Sequence, residues 1–185
     1  MRNFSFKYKV FFIHVPKNAG TSINKILGIK KKQGGHNTLG EVLNEVGDEF
    51  YKHPSIGVIR NPWDRMVSVY KYRKKKKYEH HLKHYNYTFE DWLFDPFTPR
   101  ISGHMEWLPQ IQSLSSNNTL VNYILRYEEL QEGWEFISEK LKLPSELPIL
   151  NSTPGKPYRE YYSDRSAEYV SQLFKADIDT FNYTF

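Results

Sequence analysis

Apolar and polar positions fall into short blocks that read in turn as strands and helices. Val10, Phe11, Phe12, Ile13 and Val15 form a nearly continuous apolar run, which predicts a buried strand over residues 9 to 15. The chain then turns through Pro16, Lys17, Asn18, Ala19 and Gly20. Ile23, Ile26 and Leu27 follow at helical spacing and predict a helix from Thr21 to Ile29. Leu39, Val42, Leu43 and Val46 give a second helical stripe within residues 38 to 50, and Ser55 to Ile59 reads as a second short buried strand. Asn61 and Pro62 are a good N-cap and first helical residue, and Trp63, Val67 and Tyr70 share one face of the helix they open. Phe89 to Leu93 reads as a short aromatic helix, and residues 95 to 99 as a turn-rich connection. Leu120 to Leu125 predicts a third strand. Trp134, Ile137 and Leu141 mark a helix that stops before Pro144. Residues 150 to 158 form a polar loop. Ser163 is placed to cap a last helix on which Ala167, Val170 and Phe174 line up.

Strands alternating with helices predict an α/β fold with a central, mainly parallel sheet. No repeat and no low-complexity linker divides the 185 residues, so a single domain over 1–185 is expected. In such sheets ligands bind at the carboxyl ends of the strands. Two polar stretches sit there: Pro16 to Ser22 after the first strand, and Arg60 after the second.

Composition narrows the classes. The chain is 39% hydrophobic and 16% aromatic, which suits a globular domain, and it has no cysteine, which excludes disulfides and thiolate metal sites. No apolar run approaches the ~18 residues of a membrane span. The N-terminal segment leads into the first turn without a small-residue cleavage site, so it reads as a strand and not as a signal peptide. A soluble, cytoplasmic protein is expected. The net charge of +5, with basic clusters at residues 30 to 32 and 73 to 77, favours an anionic partner.

The residues after the first strand are those that an anion site needs. Gly20 allows close backbone approach, Lys17 supplies a point charge, and Thr21 and Ser22 add hydroxyl donors at the mouth of a helix. The order differs from the Walker A pattern, in which the lysine follows the second glycine, and this weakens an ATPase reading. Arg60 is suited to forked phosphate contacts, and Ser68 lies nearly two turns along the next helix.

The motifs HVPKNAGTS and VIRNPWDRMVSVY, in this order, resemble the sulfotransferases that use 3′-phosphoadenosine 5′-phosphosulfate. The likeness is greatest to the carbohydrate O-sulfotransferase branch, with its heparan or uronyl 2-O-sulfotransferase and chondroitin sulfotransferase-type domains. LRYEEL, LNSTPGKPYREYY and ADIDTFNYTF extend the likeness over nearly the whole chain. The resemblance implies a three-layer fold like that of the P-loop nucleotide kinases. It implies that Lys17, Asn18, Ala19, Gly20, Thr21 and Ser22 cradle the 5′-phosphosulfate, and that Arg60 and Ser68 hold the 3′-phosphate. It also implies a loop, with Ser152, Thr153 and Lys156, that closes over the donor. Secretory members of the family carry a membrane anchor, which is not recognised here, and the chain is short for one with acceptor-binding extensions.

Sulfuryl transfer needs in-line geometry and charge stabilisation at the leaving group, a role for Lys17, and needs no metal. The acceptor hydroxyl needs a base, and a histidine near pKa ~6.5 suits it. His36, in GGHNT, matches the position of the histidine in the related uronyl 2-O-sulfotransferases. His14 reads as a packed support for the loop, and His80, His81 and His84 as a solvated helix face. His104, Glu106 and Trp107 are candidates for the acceptor groove, with Glu106 as a reserve base. Lys74 to Lys77, Trp92 and Trp107 favour an acidic glycan as acceptor over a small phenol. Two rivals stand beside this reading: a P-loop-type nucleotide kinase, and a non-catalytic basic module that binds polyanions. No nucleic-acid partner is expected.

Overall fold

The computed structural model describes residues 1–30, 33–77, 86–98, 104–148 and 155–185. The chain resolves into two compact units, each assembled from two separated stretches: Met1–Arg60 with Gln110–Ser152, and Asn61–Pro109 with Thr153–Phe185.

The first unit is built on a mainly parallel sheet in the order β1, β2, β3, β6 (Phe4–Ser5, Val10–Ile13, Ser55–Ile59 and Tyr123–Arg126). The short strand β1 is antiparallel to β2; β2–β3 and β3–β6 are parallel. Every residue of β2 and β3 is buried, which explains why these strands read as apolar runs without alternation. Period two still sorts their side chains. Val10 and Phe12 join Ile56 and Val58 on one face, against Ile23 and Leu27 of α1 (Gly20–Ile26) and Trp134 and Ile137 of the helix Leu130–Leu141. On the other face Phe11 packs among Phe4, Phe50 and His53. Gly57 lies so close to Leu114 that an added Cβ would sit 2.5 Å from its Cδ2.

The helical stripe at residues 38 to 50 divides into α2 (Leu39–Val46) and a 3₁₀ turn (Gly47–Lys52). Thr38 caps α2 in a capping box with Glu41, and Gly47 ends it at φ 56°, where a glycine is favoured. The strand expected over 120 to 125 is in fact two. Thr119–Leu120 (β5) pairs with Ser115–Ser116 (β4) in a separate hairpin, and β6 starts only at Tyr123. Asn122 separates them: its Oδ1 accepts from the backbone N–H and hydroxyl of Ser55, which anchors the chain to the start of β3.

The second unit is helical. The helix α3 (Pro62–Lys76) begins as its sequence predicts: Asn61 Oδ1 accepts from the N–H groups of Trp63 and Asp64. Asn61 also donates to the carbonyl of Thr184, which ties down the C-terminal segment. Further along come α4 (Phe89–Phe94) and, past Gln110–Leu114 (α5) and Leu130–Leu141 (α6) of the first unit, α7 (Asp164–Leu173) and α8 (Lys175–Phe181). Ser163 caps α7 in a capping box with Ser166, and Val170 and Phe174 are fully buried. The sequence pattern gave no separate signal for α8. Tyr70, Phe89, Trp92, Tyr161 and Tyr162 form an aromatic cluster around α3 and α4. Arg65, fully buried, is satisfied by the carbonyls of Met105 and Leu108. No helix among the described residues is long and apolar enough to cross a membrane.

Trp134 is fully buried and its indole N–H donates to the carbonyl of Pro144. Trp134→Ala is expected to cost about 3–5 kcal/mol, from lost transfer energy, a cavity and an orphaned carbonyl. Urea unfolding of the two proteins checks this, and a loss under about 1 kcal/mol would mean that the first unit has another core.

Candidate active site

Strand β2 delivers the chain into the Pro16–Ser22 loop, and the backbone of that loop is unusual. Lys17 has φ 69° and Ala19, the N-cap of α1, has φ 56°. Left-handed conformations at residues with a side chain cost of order 1–2 kcal/mol each. Such conformations with their N–H groups directed outward are the way backbones build anion-binding concavities. The helix behind the loop has seven residues, so the loop matters more here than a long helix dipole. Thr21 is exposed and Ser22 is buried.

Gly20 is required by a close approach. A Cβ there would lie 1.7 Å from Nε2 of His14, so the imidazole rests directly on the backbone at residue 20. His14 stacks on Phe12 and meets His36 edge-on, with ring centroids 4.4 Å apart. Its Nδ1 is buried without a hydrogen-bond partner. Burial pushes the His14 imidazole from 6.5 down to about 3, and the neighbouring His36 and Lys17 act in the same direction. His36 is more exposed, but partial burial and the Lys17 ammonium lower its pKa too. Lys17, His14 and His36 therefore belong to one electrostatic group in which both histidines are neutral at neutral pH.

Arg60 follows directly after β3. Its guanidinium donates to the carbonyl of Lys17 at 3.1 Å and lies over the Tyr127 ring at 4.0 Å. Asn18 is fully buried; its Nδ2 donates to the Val58 carbonyl at 2.7 Å and to Gln110 Oε1 at 2.6 Å. The Asn18 amide is thus turned into the protein, and its backbone is what remains for a ligand. The same Gln110 oxygen accepts from the Arg60 N–H at 2.9 Å, and Gln110 Nε2 donates to the Arg60 carbonyl at 2.8 Å. Sequence reasoning missed Gln110 and Tyr127. Neither falls in a recognisable spacing, and a lone buried glutamine gives no periodic signal.

In the second unit Ser68 sits half-buried on α3. Lys156 donates to the Glu160 carbonyl at 2.6 Å and lies over the Tyr161 ring. It lines a cleft of about 550 Å³ together with Tyr70, Lys74, Phe89 and Tyr161. Glu106 is buried and ion-paired to Arg73, and Trp107 packs on Trp92. Lys75, Lys76 and Lys77 are exposed. Ser152, Thr153, His80, His81 and His84 lie outside the described residues, as do Lys31, Lys32 and the side chain of His104. Among the described residues no group of three or more His, Cys, Asp or Glu side chains is placed to hold a metal ion.

The family model of the sulfotransferase family matches residues 3–184, and the chain belongs to that family. It is also 28% identical, over 103 residues, to an uncharacterised protein of Archaeoglobus fulgidus, a match that covers 55% of this chain and 78% of that protein. No solved structure matches the chain. Family membership makes this a transferase of sulfuryl groups, in a family that generally takes them from 3′-phosphoadenosine 5′-phosphosulfate.

The buried state of His14 has a consequence for stability. Its folded pKa of about 3 lies below the 6.5 of the unfolded chain, so the unfolded chain binds this proton first as pH falls. The contribution is whole above pH 6.5 and is lost as pH drops from there towards 3, by at most about 1.4 kcal/mol per pH unit. Unfolding free energies between pH 7 and pH 4 should fall less steeply for His14→Gln than for the parent. Equal slopes would mean that the ring is hydrated.

Proposed function

We propose that the chain transfers a sulfuryl group from 3′-phosphoadenosine 5′-phosphosulfate to a hydroxyl of a carbohydrate acceptor. The observation that carries this is the strained Lys17–Ala19 loop joined to Arg60 through the Lys17 carbonyl, in a chain of the sulfotransferase family. Strained backbone persists where surrounding contacts over-determine it, and that happens at ligand sites. In this reading Lys17, Asn18, Ala19, Gly20, Thr21 and Ser22 cradle the 5′ end of the donor. Arg60 takes the 3′-phosphate, the group that separates this donor from ATP. Ser68, Ser152, Thr153 and Lys156 keep the nucleotide-binding roles that the family resemblance gives them. The kinase-like, three-layer character of the fold and the unity of 1–185 as one sulfotransferase domain belong to the same reading. Each unit is made of two separated stretches, so no single cut in the chain divides one unit from the other, and this supports a single domain.

The acceptor oxygen attacks sulfur in line. The bond from sulfur to the phosphate oxygen breaks, and Lys17 stabilises the charge that develops on that oxygen. His36 takes the acceptor proton; partial burial and the Lys17 ammonium lower its pKa, which keeps it neutral at neutral pH. The exposed end of α3, with Lys75 to Lys77, supports an acidic glycan as acceptor. His104, Glu106 and Trp107 are the residues proposed to meet it. Glu106 is committed to Arg73, so it ranks behind His36 as a base.

Thermal stabilisation by 3′-phosphoadenosine 5′-phosphate, compared with ADP and ATP, tests the donor. A ligand of the folded state at about 100 times its dissociation constant adds about 2.7 kcal/mol. The shift is expected only with the 3′-phosphorylated nucleotide and is expected to shrink in Arg60→Ala; a shift with ATP alone would point to a kinase.

His36→Ala is expected to lower single-turnover sulfation by about 10²- to 10⁴-fold while leaving nucleotide affinity nearly unchanged. Lys17→Ala should lower both. Full turnover in the His36 variant would place the base elsewhere.

A further inference from the structure

We infer that Gln110 is a positioning residue that sets the spacing between the anion subsites at Lys17 and Arg60, and with it the discrimination between nucleotides with and without a 3′-phosphate. The inference rests on the donor reading above.

Gln110 opens α5 and is fully buried. A buried carboxamide costs stability unless its groups are paired, so a glutamine at such a position calls for a reason. Both ends of this one are used, and three of its bonds go to the two candidate subsites. Oε1 accepts from Asn18 Nδ2 and from the Arg60 N–H, and Nε2 donates to the Arg60 carbonyl. Arg60 in turn donates through its guanidinium to the carbonyl of Lys17, the residue before Asn18. The links close into a ring: Asn18 side chain, Gln110, Arg60 backbone, Arg60 guanidinium, Lys17 carbonyl and back to Asn18 along the chain. Tyr127 holds the guanidinium from one face.

A closed ring differs from a set of separate contacts. The loop cannot shift without moving the Arg60 main chain, and Arg60 cannot swing away without losing both its backbone clasp and the Lys17 carbonyl. The separation of the Lys17 main chain and the Arg60 guanidinium is therefore set before a ligand arrives. A ligand that presents anions at both places pays less ordering cost than it would if the subsites moved independently. A ligand with one anion gains nothing from the fixed spacing. Gln110 touches neither the nucleotide nor the reacting atoms; it acts through Asn18 and Arg60.

Titration calorimetry with 3′-phosphoadenosine 5′-phosphate and with adenosine 5′-phosphate tests this, on the parent, Gln110→Met, Arg60→Ala and the double variant. The parent should prefer the bisphosphate. In Gln110→Met that preference should fall about ten-fold, and in the Arg60→Ala background the second change should remove little more. Gln110→Glu provides an independent reading. It keeps an oxygen for Asn18 and the Arg60 N–H but sets a carboxylate oxygen against the Arg60 carbonyl, so the preference should fall again. A parent with no preference for the bisphosphate overturns the donor reading and the ring's role with it. A parent that prefers the bisphosphate, with folded Gln110 variants that keep the full preference and lose only melting temperature, overturns the positioning role alone. Additive losses in the double variant also overturn it.

Discussion

Phe11 lies opposite Ser55, Phe12 opposite Ile56 and Ile13 opposite Gly57, in parallel. The candidate site depends on this register. Two parallel strands in register end side by side, so the residues that follow them emerge at the same sheet edge. Those residues are the Pro16–Ser22 loop and Arg60. A one-residue slip would turn Phe12 out of the cluster it shares with Ile56, Trp134 and Ile137, and would separate Lys17 from Arg60 at the same time. Burial of both strand faces thus fixes the chemistry as well as the core. Asn122 adds a polar lock at the other end of β3, through the N–H and hydroxyl of Ser55.

Much of this was legible in the sequence because the signals are local. The β3 strand, the Asn61–Pro62 helix start and the Ser163 cap each depend on a few adjacent residues whose preferences agree, and each is found where the pattern predicts it. The misses depend on distant partners. β1 has two residues and exists because Phe4 and Ser5 pair with β2. The apolar run at 120 to 125 is broken by Asn122, whose partner is 67 positions away. The opening motif was legible as a candidate anion site by residue type. The reasons for two of its members were not: Gly20 answers to the ring of His14, and Asn18 to Gln110, 92 positions on. Neither relation has a period or a spacing that a single sequence exposes.

The electrostatics of the loop follow from its crowding. Lys17 and Arg60 bring two cations to one sheet edge, and His14 and His36 stand beside Lys17. A protonated histidine there would add a third like charge in a partly dry place. Burial and Lys17 together hold both rings neutral, so the histidines fill space without adding to the repulsion. The two differ in what they are free to do. His14 is wedged between Phe12 and Gly20 and serves as packing. His36 touches only one edge of it and remains open to solvent.

This arrangement also bears on when a base of this kind is strongest. The Lys17 ammonium lowers the pKa of His36 in the protein alone. An anion bound against Lys17 opposes that effect, because negative charge nearby favours the protonated imidazole. Under the proposed reading, donor binding would then raise the proton affinity of His36 at the point where a proton must be accepted. It would also leave Lys17 neutralised by the group whose departure it assists. The loop strain at Lys17 and Ala19 and the buried amides of Asn18 and Gln110 all hold this one geometry. Under the same reading, the stability spent on the loop would fix where a charge stands when it is needed, and the sheet register would decide which side chains surround it.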